Sequence, residues 1–223
     1  MTCGRGKSGY DDRVRPLDGL RVLDLSRMIA GGLAGMLLAD FGADVVKVEQ
    51  PGTGDPLRQW TTNGVPLWWQ VYARNKRHIT LNISSPEGRT LLLRMLPRFD
   101  AMLESFMPGT LDKWGLDWET LRTANPKLVL VRISGWGQSG PMSGRPGLGT
   151  LVEAATGLVA MTGQANLPML PSFPVADMTA GLYAANAALM ALYHRDVRGG
   201  TGQVVDVSLF ESLFSVLGPG PAE

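Results

Sequence analysis

Short apolar runs alternate with helical stretches along most of this chain, and no other feature constrains the fold as much. "LRVLDLS" (20–26) is a leucine- and valine-rich run, as expected of a strand covered on both faces. "GGLAGMLLADFG" (31–42) reads as a helix stopped by Gly42. "ADVVKVEQP" (43–51) is a second strand, closed by Pro51, and "GTGDPLRQWTTNGVPLWW" (52–69) reads as a loop by its Gly, Pro and Asn content. "RHITLNI" (77–83) is a strand, and "SSPEGRTLLLRMLPRF" (84–99) opens a helix at Ser85 ahead of Pro86 and Glu87. A strand over "DAMLESF" (100–106), short helices over "PGTLDKWGL" and "DWETLRTANP" (108–126) and a strand over "KLVLVRISG" (127–135) continue the alternation. After the loop "GWGQSGPMSGRPGLG" (135–149), the spacing predicts a helix over 150–163, a long helix behind Asp177, and a strand running into a helix over 199–217.

Strands spaced for crossovers argue a parallel α/β sheet with Rossmann-like winding. The 223 residues suffice for one large domain or two small ones. With 21 basic and 20 acidic residues, nothing in the charge balance calls for nucleic acid or an acidic membrane as partner. The single Cys3 makes no internal disulfide and fits a reducing compartment. Residues 1–16 read as a polar tail without the apolar core of a secretory signal, and 218–223 as a Pro/Gly tail. The apolar run Met178–Tyr193 falls short of the roughly 20 residues of a membrane span. The expectation is a cytoplasmic protein with no membrane partner.

Asp177 stands in front of that charge-free run. As a helix N-cap it would accept bonds from free backbone N–H groups and suit the helix dipole. The helix behind it is apolar on every face, so a carboxylate at its mouth would be partly desolvated, a setting in which reactive carboxylates occur. Both readings stand on the residues alone. "AGGLAG" (30–35), followed by Glu49, is a degenerate dinucleotide fingerprint with Ala30 at the first glycine place, and its glycines read better as helix-packing glycines. "GQSGP" around Ser139 lacks the second glycine of a nucleophile elbow. His78 and His194 lie far apart and read as surface or capping residues, no metal-ligand spacing appears, and Trp68 and Trp69 suit a core or interface. A carboxylate nucleophile remains.

Five segments, in order, resemble the family III CoA-transferases (the CaiB/BaiF group, which includes formyl-CoA transferase and carnitine CoA-transferase). They are "PLDGLRVLDLSRMIAGGLAGMLLADFGADVVKVEQPGTGDPLR", "NKRHITLNISSPEG", "ESFMPGTLDKWGL", "RISGWGQSGP" and "ADMTAGLYAANAALMALYHRDVRGGTGQVVDVSLFES". The resemblance covers Pro16 to about Leu217. It implies an α/β fold, the parallel-sheet Rossmann-like large domain of that family over 17–217. It implies an incomplete domain too, because the relatives are far longer and carry a second domain and a glycine-rich loop.

By the resemblance, Asp177 is the catalytic nucleophile, forming an aspartyl-CoA intermediate during CoA transfer from an acyl-CoA to a carboxylic acid. CoA is substrate, and no cofactor is bound permanently. The implied CoA contacts are the turn at Ile29 and Ala30, the segment Leu81 through Ser84, the turn Phe106–Gly109, and Lys113 as a phosphate partner. Ile29 stands where formyl-CoA transferase has glutamine, which argues against oxalate–formate chemistry. Ser84 stands where a basic residue is common. The family's dimers are interlocked, so a homodimer is expected of a full-length form. α-Methylacyl-CoA racemases of the same superfamily use a histidine where this chain has Leu148. A racemase is thus the alternative, lacking one acid–base group. A nonenzymatic CoA-binding remnant and an NAD-binding domain are the further alternatives.

Overall fold

The computed structural model describes residues 15–164 and 166–220. The polar tail expected over 1–16 lies outside these residues except for its last two, as do residues 221–223.

Six parallel strands form one sheet. In chain order the elements are β1 (Arg21–Asp24), α1 (Ala30–Asp40), β2 (Asp44–Glu49), α2 (Leu67–Tyr72), β3 (Arg77–Thr80), α3 (Pro86–Met95), β4 (Ala101–Glu104), α4 (Thr110–Lys113) and α5 (Trp118–Ala124). There follow β5 (Val129–Ser134), α6 (Gly149–Ala155), α7 (Leu158–Thr162), α8 (Val175–Val197), β6 (Gln203–Ser208) and α9 (Leu209–Val216). The strand order is β3-β2-β1-β4-β5-β6, so the winding reverses between β1 and β4. In such sheets the crevice for ligands opens outside the carboxyl ends of the strands, at that reversal.

Alternate strand residues serve two cores, as the period of two requires. Val22, Val45, Ala101, Leu103, Val129 and Val131 face α1, α8 and α9. Leu23, Val46, Met102 and Leu130 face the side of α3 and α5. Several expected caps are present. Ser85 Oγ accepts from Gly88 N at 3.1 Å with Pro86 behind it, and Gly42 ends α1 at φ +113°.

Three expectations are corrected. The stretch 52–69 is not all loop: a 3₁₀ turn spans Pro56–Gln59, and Trp68 and Trp69 lie in α2, where Trp68 stacks on Tyr72. The helix expected over 150–163 is two, broken at Gly157 with φ +88°. The long helix is not buried all round. It runs 23 residues, long and apolar enough by length and composition to cross a membrane. Ala176, Ala180, Ala184, Ala188 and Ala191 form its buried stripe, while Leu182, Leu189, Met190, Tyr193 and Val197 are exposed. The alanines let it lie close on α1: a Cβ at Gly181 would come within 2.7 Å of the Ala30 carbonyl oxygen.

Candidate functional site

The turn from β1 to α1 lies at the winding reversal, and it is held from several directions. Arg27 N donates to Ser105 Oγ at 2.8 Å, and that hydroxyl donates back to the Arg27 carbonyl at 3.2 Å. This joins the loops after β1 and β4. Met28 sits at φ +64°, an uncommon conformation for a side-chain-bearing residue. Its N–H donates to Asp55 Oδ1 at 3.3 Å. Lys47 Nζ donates to the Ser26 carbonyl and lies 3.2 Å from Asp55 Oδ2. Lys76 Nζ reaches Asp24 Oδ2 at 2.8 Å and the Gly32 carbonyl at 2.9 Å. Side chains from β1, β2, the following loop and the approach to β3 therefore fix one turn.

On one side of this turn is a cavity of about 420 Å³. Leu25, Leu81, Ile83, Phe106 and Trp114 give it apolar walls; Arg27, Gln50, Gln59 and Ser84 give it polar groups. The Arg27 guanidinium lies 5.4 Å from the Phe106 ring centre, and Phe106 meets Trp114 edge-on at 5.2 Å. Of the expected contact residues, Leu81, Ser84 and Phe106 thus come together. Lys113 does not join them: it is exposed at the end of α4 and lines no part of the cavity. Arg27, which sequence reasoning missed, lines the cavity. Its signal was modest: a basic residue directly after a strand that ends at the crevice.

Ile29 and Ala30 lie on the other side, with buried side chains, so only their backbone is available. Ile29 is the residue before α1, and no side chain caps that helix. Ala30 abuts Gly181, four residues and one helical turn beyond Asp177. The turn therefore spans from the cavity to the helix that carries Asp177.

Asp177 is not the cap of α8. Pro174 holds that position and Asp177 lies inside the first turn. The cap arrives from another element, because Glu153 Oε1 on α6 accepts from Ala176 N at 3.2 Å. Burial first, then the charge of Glu153, pushes the Asp177 carboxyl up to about 6. Tyr72 of α2 lies close enough that its hydroxyl is raised by burial and then by Asp177. A Cβ at Gly149 would collide with Asp177 Oδ2. Gly149 is held in turn by a backbone clasp two residues earlier, where Gly135 and Gly147 approach too closely for either to carry a side chain, and Trp136 Nε1 donates to the Pro146 carbonyl at 2.9 Å. Glu153 was legible as the one charge in "TLVEAATGLVAM".

The glycines of α1 contact protein side chains. Gly31 faces Ser26, Gly32 faces Tyr72, and Gly35 faces the Asp24–Lys76 pair. Burial alone would raise Glu49, but the Arg58 fork at 2.7 and 2.9 Å, the Asp55 N–H and His78 outweigh it and hold it at about 2. His78 is consequently not a free surface residue; it lies 3.1 Å from Glu49 and against Trp69. Among the described residues, no three His, Cys, Asp or Glu side chains gather as metal ligands.

Comparison with known proteins places this geometry in a family. The family described as CoA-transferase family III matches residues 17–223. The chain is 46% identical over 207 residues to succinyl-CoA–D-citramalate CoA-transferase of Chloroflexus aurantiacus, covering 91% of this chain and 51% of that protein. It is 42% identical over 204 residues to the succinyl-CoA–L-malate CoA-transferase beta subunit of the same organism, covering 89% and 50%. The crystal structure of a CAIB/BAIF family protein from Brucella suis superposes with a TM-score of 0.86 at 38% identity, covering 92% of this chain and 56% of that one. The chain spans about half the length of the curated relatives it matches. It belongs to CoA-transferase family III.

Proposed function

We propose that this chain carries the nucleophile and nucleotide-side surface of a CoA-transferase that moves CoA between a dicarboxylic acyl-CoA and a second dicarboxylic acid. The observation that carries the reading is Asp177: a largely buried carboxylate in the first turn of α8, its Oδ2 seated where Gly149 has no side chain, raised to about 6 by burial and by Glu153. At neutral pH it is ionised, as a nucleophile must be, and burial leaves its charge poorly solvated.

In the proposed reaction a carboxylate oxygen of Asp177 attacks the thioester carbonyl, and CoA thiolate leaves as the mixed anhydride forms. The thiolate then attacks the Asp177 carbonyl carbon, expelling the donor carboxylate and leaving an aspartyl-CoA thioester. The acceptor carboxylate reverses the two steps, so no net proton or electron is exchanged. The cavity between Leu81, Ile83, Phe106 and Trp114 suits the adenine of CoA, and Arg27 at its edge suits a phosphate. The Arg27–Ala30 turn would carry the pantetheine arm toward Asp177. The acyl class follows from the relatives, whose names join succinyl-CoA with citramalate and malate. Dimer formation, with a second copy or a related subunit, belongs to the same reading.

A racemase is less well supported. Leu148, at the place of the racemase histidine, is 70% exposed and carries no acid–base group. Of the two histidines, His78 is bound to Glu49, and His194 lies 17 residues along α8 from Asp177 (194 − 177), about 25 Å away.

Incubation with succinyl-CoA, trapping with hydroxylamine and peptide mass spectrometry test the reading. The hydroxamate should form on Asp177 and be absent from Asp177→Asn. Modification confined to any other residue would exclude the mechanism.

A further inference from the structure

Glu153 is a buried carboxylate for which the transfer steps have no use. It is 4% exposed, on a helix of seven residues, and its Oε1 satisfies the Ala176 N–H of α8. Gly149, whose missing side chain makes room for Asp177 Oδ2, lies four residues earlier on that helix, and positions four apart share a helix face. One face of α6 thus gives Asp177 both a seat for its Oδ2 and a neighbouring charge.

We propose that Glu153 is a positioning residue for CoA transfer: it fixes the first turn of α8 and keeps a second negative charge beside Asp177, so that acylation of Asp177 relieves the repulsion between them. The proposal rests on Asp177 being the nucleophile. The charge that raises Asp177 is that of Glu153 from α6, and Asp177 in turn raises the Tyr72 hydroxyl of α2. Charges on the other elements against α8 are engaged elsewhere. Arg132 of β5 is held by Glu104, Asp206 of β6 by the Gln138 N–H, and Glu211 of α9 by Ser208. α1 has no charged residue before Asp40, which is paired with Arg74.

Protonation and acylation both remove the Asp177 charge. A neighbour that disfavours the carboxylate therefore favours the proton and the acyl adduct alike, about tenfold in each for every pH unit by which it raises the midpoint. Repulsion is strongest in the resting site and absent once the anhydride or thioester has formed.

The test uses Glu153→Gln, which keeps an oxygen acceptor for Ala176 N and removes the charge. Carbon-13 NMR of protein labelled at the aspartate carboxyls gives the Asp177 midpoint, its resonance assigned by loss in Asp177→Asn. The midpoint should fall from about 6 toward the ordinary 3.8, by about 1 on the pH scale. The equilibrium amount of Asp177 adduct formed with succinyl-CoA should fall about tenfold. Glu153→Asp, which keeps the charge, should keep the midpoint raised. An unchanged midpoint and adduct yield in Glu153→Gln would overturn the proposal. If Glu153→Gln does not fold, a native midpoint near 3.8 would overturn it equally. If the native chain forms no Asp177 adduct, the transferase reading fails, while the midpoint still reports whether Glu153 acts on Asp177.

Discussion

Asp177 and Glu49 show how two carboxylates of one molecule come to opposite ends of their range. Glu49 is met by a guanidinium fork, a backbone N–H and an imidazole, which hold it at about 2. Its contribution to stability is present above the ordinary glutamate range and is lost as pH falls toward 2. Asp177 is met by burial and by Glu153, so its folded-state value lies above its unfolded one. The sign is reversed: below about pH 4 the group costs nothing, and between about 4 and 6 the unfolded chain ionises first and stability declines. Above 6 the full penalty is present. Asp177→Asn should therefore raise stability at pH 7.5 by about 1–2 kcal/mol, a discounted share of what lifting the carboxyl from 3.8 to about 6 implies, and raise the melting temperature by a few degrees. Thermal melts at pH 7.5 and pH 4 should show the gain only at the higher pH. A loss of stability at pH 7.5 would mean that the carboxylate supports the first turn after all. The sequence made Asp177 visible through the charge-free run behind it. It could not show that Glu153, 24 residues earlier (177 − 153), supplies the cap, because that contact exists only once α6 is docked.

Among the elements, those with local signals were readable and those fixed by tertiary contact were not. α3 was visible in Ser85-Pro86-Glu87, since Ser85 caps it within three residues. α2 was not, because six residues have little helical stability of their own, and it is Tyr72 and Trp68 that anchor it against Ile29, Met36 and Leu57. Lys113, expected as a phosphate partner from its place after the Phe106–Gly109 turn, lies outside the cavity at the end of the single turn of α4, while Trp114 reaches the wall. α6 gives the clearest prediction at this scale. Gly149→Ala places a Cβ against Asp177 Oδ2 at a position whose backbone any residue can adopt. Stability should change by less than about 1 kcal/mol, while the rate of the proposed acylation of Asp177 should fall at least about tenfold, since small misplacements of a reacting group are costly. Mass-spectrometric rates beside melting curves would check this; an unchanged rate would show that the carboxylate works from another rotamer.

At the scale of the whole molecule, buried ions tie together the β1–β2–β3 half of the winding. Lys47 is 3% exposed and joins Ser26, Asp24 and Asp55, drawing β1, β2 and the following loop onto one ammonium. Removing Lys47 leaves buried Asp55 without its cation and Asp24 with Lys76 alone, so Lys47→Met should cost about 3–5 kcal/mol in denaturant unfolding. Loss of less than about 1 kcal/mol would mean that water reaches the site. The parallel sheet with Rossmann-like winding followed from the alternation of elements and the rule for crossovers, whereas this network did not. Asp24, Lys47 and Lys76 stand in apolar or unremarkable runs, and only the folded chain brings them within reach of one another.

The clasp between Gly135 and Gly147 has a consequence for how such a protein can diversify. It closes the loop at its base, so residues 138–145 emerge and return without bearing on Gly149. Lengthening a closed loop adds only about 0.6 kcal/mol per doubling. Insertions there are therefore nearly free, and the carboxylate on α8 is insulated from them. A lineage could remodel this segment while Asp177 stays where it is.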